Sequence, residues 1–378
     1  MENIIKYYPV GNGDSSLMII SKGDDDISII TDCKIREVKD EVFDVRKDLN
    51  NSLQKKDYKT YTDLFILSHH DEDHCLGFKN NFYSGDISNQ SSNCDKIIID
   101  ELWVNAHILN DETIIKDSDA DYIKKEVIRR RNLYKNNNFS ANNKGNRLML
   151  IGSDINGDFN NVPIYLPGDI VDSINNKKLP NFNIYIHAPF KEHLEDCLNL
   201  NDRNSASIVF QARFFNSITK ELSIRVMFGG DSDHKVWEKI KLTCEKNDVE
   251  KLNWDIFQTP HHCSWSFFND TPYKDIERDI DNSKPKQTSI DILNYKLSGA
   301  KIIATSKKIE NNEDNPPHYK AKDEYVKIVA DNNFYNTEEF YNTYKLPIVF
   351  EIDDNGATLL KRAKESISQG TVIPSRAG

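Results

Sequence analysis

The chain has few cysteines and no paired cysteine motif. Its six cysteines are scattered over 378 residues without C-x-x-C spacing, which is typical of reduced thiols. This pattern argues against a disulfide framework and against a structural zinc knuckle. No apolar run approaches the roughly 20 residues that a membrane-spanning helix needs. The N-terminus lacks the basic and apolar segments of a signal peptide, so we expect a cytoplasmic protein without a membrane partner.

Positive charge is also scarce. The chain has 49 lysines and arginines against 60 aspartates and glutamates, which gives a formal net charge of −11. A protein that holds duplex nucleic acid by broad neutralisation of its backbone needs a dense basic surface. The acidic balance argues against that mode of binding. It leaves room for a metal-dependent enzyme, because bound divalent ions supply local positive charge.

Histidines and carboxylates are concentrated in residues 68–74, whose sequence is Ser-His-His-Asp-Glu-Asp-His. The segment follows an apolar run at 64–67 that predicts a buried strand, and α/β folds place their chemistry where strands end. Packing these groups together costs free energy unless a cation offsets the repulsion. The alternative is a solvated loop, but such loops carry glycine, asparagine and serine. The segment therefore predicts a metal site.

Other predicted strand ends carry the same residue types. They are Asp14, in a turn between strands at 2–8 and 16–20; Asp32, after a strand at 27–30; Asp231, after 222–228; and the pair His261 and His262, after 254–258. Mixtures of histidine and carboxylate bind catalytic divalent metals with positions open for water and substrate. Two ions in such a set would generate a nucleophile near neutral pH and clamp an in-line displacement.

The remaining signals outline further helices and strands. A heptad-like spacing of Val38, Val42, Val45, Leu49 and Leu53 predicts an amphipathic helix over residues 35–55. Helices are also predicted over 120–136, 234–246 and 318–330, and strands over 182–187, 205–210, 300–305, 348–352 and 357–360. Residues 79–180 are rich in asparagine and give weaker signals. Polar residues from about 366 onward predict a loosely ordered tail.

One predicted helix is strongly basic. Its cationic residues are Lys124, Lys125, Arg129, Arg130, Arg131 and Lys135. They are interpreted either as a solvated helix face or as a phosphate-contacting patch beside the metal site.

Five short motifs follow one another along the chain. They are Gly-Asn-Gly-Asp at 11–14, Thr-Asp-Cys at 31–33, the segment at 68–74, Gly-Gly-Asp at 229–231 and Pro-His-His-Cys-Ser at 260–264. This order resembles the metallo-β-lactamase fold hydrolases, most closely the ComEC-like branch, typified by the hydrolase domain of a bacterial competence protein. That branch has G-Q-G-D, I-D-T-G, S-H-x-D-x-D-H, T-G-D and P-H-H-G-S in the same order.

The resemblance implies an α/β fold, specifically a four-layer αβ/βα sandwich with an inserted segment in the middle of the chain. The hydrolase domain would cover residues 1–365, with family-divergent insertions at about 79–180, and residues 366–378 would form the polar tail.

The resemblance also implies roles for the clustered residues. His69 and Asp71 would be ligands of a first metal, Asp73 and His74 ligands of a second, and Asp231 the bridging carboxylate. One of His261 and His262 would be the late histidine ligand, and Asp14 and Asp32 would be supporting acids. Among these residues, Asp73, His74 and Asp231 would take part most directly in catalysis.

Three positions depart from the wider family or lack a counterpart. Asp71 replaces a histidine, which makes the site richer in oxygen, so Mn²⁺ or Mg²⁺ becomes as reasonable as Zn²⁺ for the one or two ions expected. Cys263 replaces a glycine. The family's middle histidine has no certain counterpart: His187 and His107 are candidates, although a lone histidine is more often a structural residue. For His318, the resemblance implies a position near the site, on the substrate side.

The function implied is a metal-dependent hydrolase in which a metal-bound hydroxide attacks a phosphodiester of nucleic acid or a nucleotide. Free-standing proteins of this branch also occur in bacterial anti-phage systems, where a protein partner from the same operon is conceivable. The same fold hydrolyses esters, lactones and thioesters, so these remain alternatives. Two others are an HD-type phosphohydrolase, suggested by His70-Asp71, and a non-catalytic binding module that has lost its metals. The oligomeric state stays open.

Overall fold

The computed structural model describes residues 2–361, except residues 24, 40–41, 92–93, 201, 279–281 and 312–314. The predicted polar tail at 366–378 lies outside these described residues. Over the described residues the chain is an α/β protein with two large mixed sheets and helices packed on them. Within the same residues, no helix combines the length and the apolar character needed to cross a membrane.

The strands, in chain order, are β1 (Asn3–Tyr7), β2 (Ser16–Ile20), β3 (Ile27–Thr31), β4 (Gln54–Lys56), β5 (Lys59–Ile66), β6 (Ile98–Val104), β7 (Arg147–Ile151), β8 (Ile164–Tyr165), β9 (Ile170–Val171), β10 (Ser173–Ile174), β11 (Lys177–Lys178), β12 (Phe182–Ala188), β13 (Val209–Phe215), β14 (Leu222–Phe228), β15 (Trp254–Gln258), β16 (Lys296–Ala304), β17 (Phe334–Asn336), β18 (Ile348–Asp353) and β19 (Gly356–Leu360). The α-helices are α1 (Val45–Ser52), α2 (Glu72–Cys75), α3 (Phe78–Asn81), α4 (His107–Asn110), α5 (Asp119–Lys135), α6 (Lys191–Leu200), α7 (His234–Asn247), α8 (Gln287–Asn294), α9 (Tyr319–Val329) and α10 (Thr337–Tyr344).

Each large sheet joins a parallel half to an antiparallel half. In the part of the chain described, the first sheet has ten strands in the order β19-β18-β1-β2-β3-β5-β6-β7-β8, with β4 paired to β5. It is antiparallel from β19 to β3 and parallel from β3 to β8. The second sheet, ordered β17-β16-β15-β14-β13-β12-β9, is parallel from β17 to β14 and antiparallel beyond. Strands β10 and β11 form a separate hairpin.

Alternating side chains of the sheets build three apolar cores. In β5, Leu64 and Ile66 enter a central core that they share with Phe210 and Phe228 of the second sheet. Phe65 points the other way, into a core formed with α1, α3 and α5. A third core packs the second sheet against α7, α8 and α9. The two sheets therefore face each other, and helices cover their outer faces.

Most elements predicted from the sequence are confirmed. The predicted hairpin is β1 and β2, and β14 and β15 match the predicted bounds. Helices α5, α7 and α9 each agree to within one residue at either end. The strand predicted at 205–210 begins instead at Val209. Residues 79–180 contribute β6 and β7 to the first sheet and α5 to its outer face.

The helix predicted over residues 35–55 is wrong for its first half. Among the described residues of this range only α1 is helical, and Val38 is 60% exposed. The backbone N–H groups of Cys33 and Ile35 donate to the carbonyls of His74 and Leu76, which holds the start of the segment against residues 74–76. Tertiary hydrogen bonds to residues 68–76 thus override a helical pattern made largely of valine, a weak helix former.

Candidate metal centre

The functional side chains converge because several strands end at the same edge. Strands β3 and β5 are parallel, so the segments after them emerge together. Strand β2 is antiparallel to β3, which brings the turn before β2 to the same place. In the second sheet, β14 and β15 are parallel and also end there. The topology therefore gathers residues as far apart in the sequence as Gly13 and His262, which are separated by 249 positions.

The backbone around this edge is strained in two places. Asp32 has φ 55°, and His261, His262 and Cys263 have φ of 48°, 55° and 70°. Residues with side chains rarely adopt such left-handed conformations, which cost about 1–3 kcal/mol each and cluster at functional sites. The turn after β15 is thereby bent so that two consecutive histidines face the same carboxylate.

That carboxylate is Asp231, which lies between two groups of candidate ligands. Its Oδ2 atom is 3.6 Å from His69 Nε2 and 3.7 Å from His261 Nε2. Its Oδ1 atom is 3.0 Å from His74 Nε2 and 3.5 Å from His262 Nε2. Each oxygen thus faces its own pair of imidazoles.

One aspartate of residues 68–74 completes each group. Asp71 Oδ2 lies 3.7 Å from His69 Nε2, and Asp73 Oδ2 lies 3.1 Å from His262 Nε2. We call His69, Asp71 and His261 with Asp231 Oδ2 the His69 half-site. We call Asp73, His74 and His262 with Asp231 Oδ1 the His74 half-site.

Supporting carboxylates orient the imidazoles of the His74 half-site. His74 Nδ1 lies 2.9 Å from Asp32 Oδ2, which favours a proton on Nδ1 and leaves Nε2 facing the centre. His262 Nδ1 accepts a hydrogen bond from the Gly13 amide at 3.2 Å, and it also lies 3.2 Å from the Thr305 carbonyl oxygen and 3.5 Å from Asp14. Both histidines direct Nε2 toward Asp231 Oδ1, at 3.0 Å for His74 and 3.5 Å for His262.

The His69 half-site contains an unsatisfied polar atom. His69 is buried, and over the described residues its Nε2 atom has no hydrogen-bond partner. Its Nδ1 atom, by contrast, lies 3.1 Å from the Ser68 hydroxyl. A buried nitrogen without a partner costs free energy, so this atom suits a ligand that the protein itself does not supply.

Burial and the neighbouring charged groups shift the pKa values of the clustered residues. Burial, with a contribution from His74, lowers the pKa of His69 to about 4. Burial also acts to lower the pKa of His74, but Asp231 and Asp32 outweigh it and raise that pKa well above its usual value. The pKa of Asp231 lies well below its usual range because the neighbouring histidines outweigh the effect of burial. A proton is therefore favoured on His74 and disfavoured on His69.

The residues present fit a metal ion. Asp14, His74, Asp231 and His262 are all buried, and each offers a ligand atom within 4.8 Å of the others. Imidazole nitrogen and carboxylate oxygen are ligands that Zn²⁺ and Mn²⁺ both accept. The cluster could thus hold a metal ion, and its donor set does not select one metal.

The structure brings together nearly all the candidate residues at this centre. They are Asp14, Asp32, His69, Asp71, Asp73, His74, Asp231, His261 and His262. Of the two residues considered for the late histidine ligand, His261 faces Asp231 Oδ2 and His262 faces Asp231 Oδ1. The His70-Asp71 dyad lies between β5 and α2 rather than on a helix, unlike the HD arrangement.

The additional histidines lie elsewhere. His187, the possible extra ligand, is buried in β12, where its Nδ1 atom lies 3.8 Å from Cys244 Sγ, so the structure does not bring it together with the cluster. His107 packs against His70 with ring centroids 5.2 Å apart, in a neighbouring cluster. His318 accepts a hydrogen bond from the Trp265 backbone at 2.8 Å and stacks on Tyr273. It therefore supports the turn after β15.

The basic helix α5 does not form the predicted phosphate patch as a whole. Arg130 is 1% exposed and donates to Glu126 at 2.7 Å and to two backbone carbonyls, so it cannot reach a phosphate. Arg129 also binds Glu126. Lys125 pairs with Asp121, and Lys124 donates to the Asp111 carbonyl. Arg131 donates to the Asp158 carbonyl and to Asn132. Most of this positive charge serves the fold.

Sequence reasoning missed several residues that support the centre. Thr305 and Gln258 donate to the two oxygens of Asp14 at 2.5 and 2.6 Å. Both occupy strand ends, so the rule that identified Asp32 and Asp231 could have found them. Arg203, which binds Asp71 at 2.7 Å, lies in a loop and gave no such signal.

Neither the protein-family models nor the curated proteins compared with this chain give a match.

Proposed function

We propose that the protein is a metal-dependent hydrolase with the four-layer αβ/βα sandwich of the metallo-β-lactamase fold, resembling its ComEC-like branch. The position of Asp231 carries the proposal, since its two oxygens face separate pairs of imidazoles. Facing sheets with helices on both outer faces agree with that fold. The order of the five motifs agrees with it as well.

The two half-sites would each hold one divalent ion. His69, Asp71 and His261 would hold one divalent ion, Asp73, His74 and His262 a second, and Asp231 both. When bound, such ions activate water and stabilise the charge that develops on the attacked group.

The chain's own groups would orient the ligands and move the proton. Asp32 holds His74 through Nδ1, and Thr305 and Gln258 fix Asp14. Asp73 is 34% exposed, which makes it the carboxylate of the His74 half-site that solvent and substrate can reach. We assign to the Asp73 carboxylate a part in proton transfer.

We propose a phosphodiester of nucleic acid or a nucleotide as the substrate. This choice rests on the resemblance of residues 68–74 and 260–264 to the ComEC-like branch. The acidic chain and the internal pairing of α5 favour a substrate held mainly at the metal centre over one held by a wide basic surface.

The test compares wild type with Asp231→Asn, which keeps the shape of the side chain but removes its charge. Bound metal is measured, and both proteins are assayed on single-stranded DNA, duplex DNA, RNA and bis-p-nitrophenyl phosphate with added Mn²⁺ or Zn²⁺. We expect metal-dependent cleavage by wild type and a loss of at least about 100-fold in the variant. Asp255→Asn, which alters an aspartate of β15 paired with Arg225, serves as the control.

Other outcomes separate the alternatives. Stoichiometric metal without phosphodiester cleavage would move the assignment to an ester, lactone or thioester, for which the same proteins can be assayed. Absence of both metal and cleavage would contradict the proposal and favour a binding module.

A further inference from the structure

Arg203 joins the metal centre to a second polar cluster. Its Nη1 atom donates to Asp71 Oδ1 at 2.7 Å, its Nε atom donates to Asp111 Oδ2 at 2.7 Å, and its Nη2 atom donates to Thr113 Oγ1 at 2.7 Å. All three nitrogens of the guanidinium therefore donate hydrogen bonds at the same time. An arginine held this way has lost most of its freedom to rotate, and a lysine could not reproduce the same fork.

Asp111 is the anchor of this arrangement. Its Oδ2 atom also accepts a hydrogen bond from His70 Nε2 at 2.8 Å. Its Oδ1 atom accepts from the amide and the hydroxyl of Thr113 at 2.7 and 2.6 Å. Both oxygens are therefore occupied, and the side chain is 1% exposed.

The same cluster is close enough in space to hold a cation, since His70, His107 and Asp111 offer atoms within 4.8 Å of one another. We assign it a structural role instead. The Asp111 oxygens already accept four hydrogen bonds, which fill the lone-pair positions of a carboxylate. The cluster thus serves to hold Arg203 in place.

The hydrogen bond from Arg203 restricts the orientation of the Asp71 carboxylate. Arg203 occupies its Oδ1 atom, so Oδ2 alone faces His69 Nε2, at 3.7 Å. Asp71 is 31% exposed, and without Arg203 its carboxylate would be free to rotate toward solvent. Arg203 contributes positive charge as well as orientation, but the charge of a partly exposed pair is strongly screened. Orientation is therefore the larger effect.

We propose that Arg203 is a positioning residue that fixes Asp71 as a one-oxygen ligand of the His69 half-site. This inference rests on the proposed metal centre. The His74 half-site has no such guanidinium among the described contacts of Asp73, whose carboxylate lies against His74 and His262. The two half-sites should therefore respond differently when Arg203 is changed.

The experiment measures Mn²⁺ binding to metal-free protein by titration, with free Mn²⁺ followed by electron paramagnetic resonance. It compares wild type, Arg203→Met and Arg203→Lys. Arg225→Met is the matched control, because Arg225 pairs with Asp255 away from the centre. Thermal melting of each metal-free variant verifies that the fold is retained.

We expect Arg203→Met to weaken one class of Mn²⁺ site by about 10- to 100-fold and to leave the other within about twofold. Arg203→Lys should behave like Arg203→Met, because the charge is kept but the fork is lost. Unchanged or increased affinity in Arg203→Met, or wild-type binding in Arg203→Lys, would overturn the inference. A wild type that binds no Mn²⁺ would instead contradict the metal centre itself.

Discussion

Gly13 is the residue with the least room for a side chain at the metal centre. A Cβ atom there would lie 2.5 Å from the Asp73 carbonyl oxygen and 2.4 Å from Lys34 Cδ. The Asp14 amide donates to that same Asp73 carbonyl, so the turn is pressed against residues 68–74. The lysine can move aside, but the backbone carbonyl cannot move without displacing Asp73.

We expect Gly13→Ala to lower the free energy of unfolding by about 1–3 kcal/mol and to weaken metal binding, because Asp73 must shift. Urea denaturation and Mn²⁺ titration measure the two effects. Gly299→Ala is the control, since Gly299 also has a positive φ, of 76°, but has no atom within 4 Å of its added Cβ. Equal losses in both variants would mean that only the backbone conformation matters.

Asp32 acts through the imidazole it holds. Its carboxylate accepts from the Ser68 amide at 2.7 Å, from the Ser68 hydroxyl at 2.6 Å and from His74 Nδ1 at 2.9 Å. Asp32→Asn keeps the shape but places an amide where an acceptor is needed. We expect metal affinity to fall by about 10- to 100-fold while the protein stays folded, as measured by competition with a chelator. Wild-type affinity in this variant would show that His74 is oriented by packing alone.

At the scale of elements, the buried side chain of Arg130 joins helix α5 to the first sheet. Arg130 pairs with Glu126 and donates to the backbone carbonyls of Arg147 and Ile99, which belong to neighbouring strands. Replacing one partner of a buried pair leaves the other charge uncompensated.

We expect Arg130→Met to lower the free energy of unfolding by about 3 kcal/mol, the lower end of the usual range because Arg129 still pairs with Glu126. The double variant Glu126→Leu/Arg130→Met should recover part of that loss. Urea denaturation measures stability, and KM for any substrate found should not change. A stable Arg130→Met protein with a raised KM would instead support the hypothesis that Arg130 contacts a phosphate of the substrate.

Strand ends were the most predictable part of this chain. Apolar runs followed by histidine or aspartate located Asp32, residues 69–74, Asp231 and the pair at 261–262, and all of them meet at one edge. Residues outside that pattern were not predictable in the same way. Arg203 contacts Asp71 across 132 positions of sequence, and such a pairing leaves no local periodicity. The prediction for His187 failed because a position at a strand end does not tell which face of the sheet the side chain occupies: His187 lies against Cys244 of α7, on the outer face.

At the scale of the whole molecule, the centre draws its ligands from both sheets. His69, Asp73 and His74 follow β5 of the first sheet, whereas Asp231 and His262 follow β14 and β15 of the second. A metal bound there would connect the two sheets at the edge of their shared core. Asp231 of the second sheet and the partly exposed Asp73 of the first are joined only through the imidazoles of His74 and His262.

Metal removal should therefore destabilise the entire fold and not only the site. Because the separate ligands come together only in the folded state, we expect Mn²⁺ at a hundred times its Kd to stabilise the protein by about 2.7 kcal/mol. Thermal unfolding with Mn²⁺ and with a chelator measures this difference, and Asp231→Asn should show little dependence on metal. An equal melting temperature of the wild type with Mn²⁺ and with the chelator would mean that the ion does not hold the two sheets together.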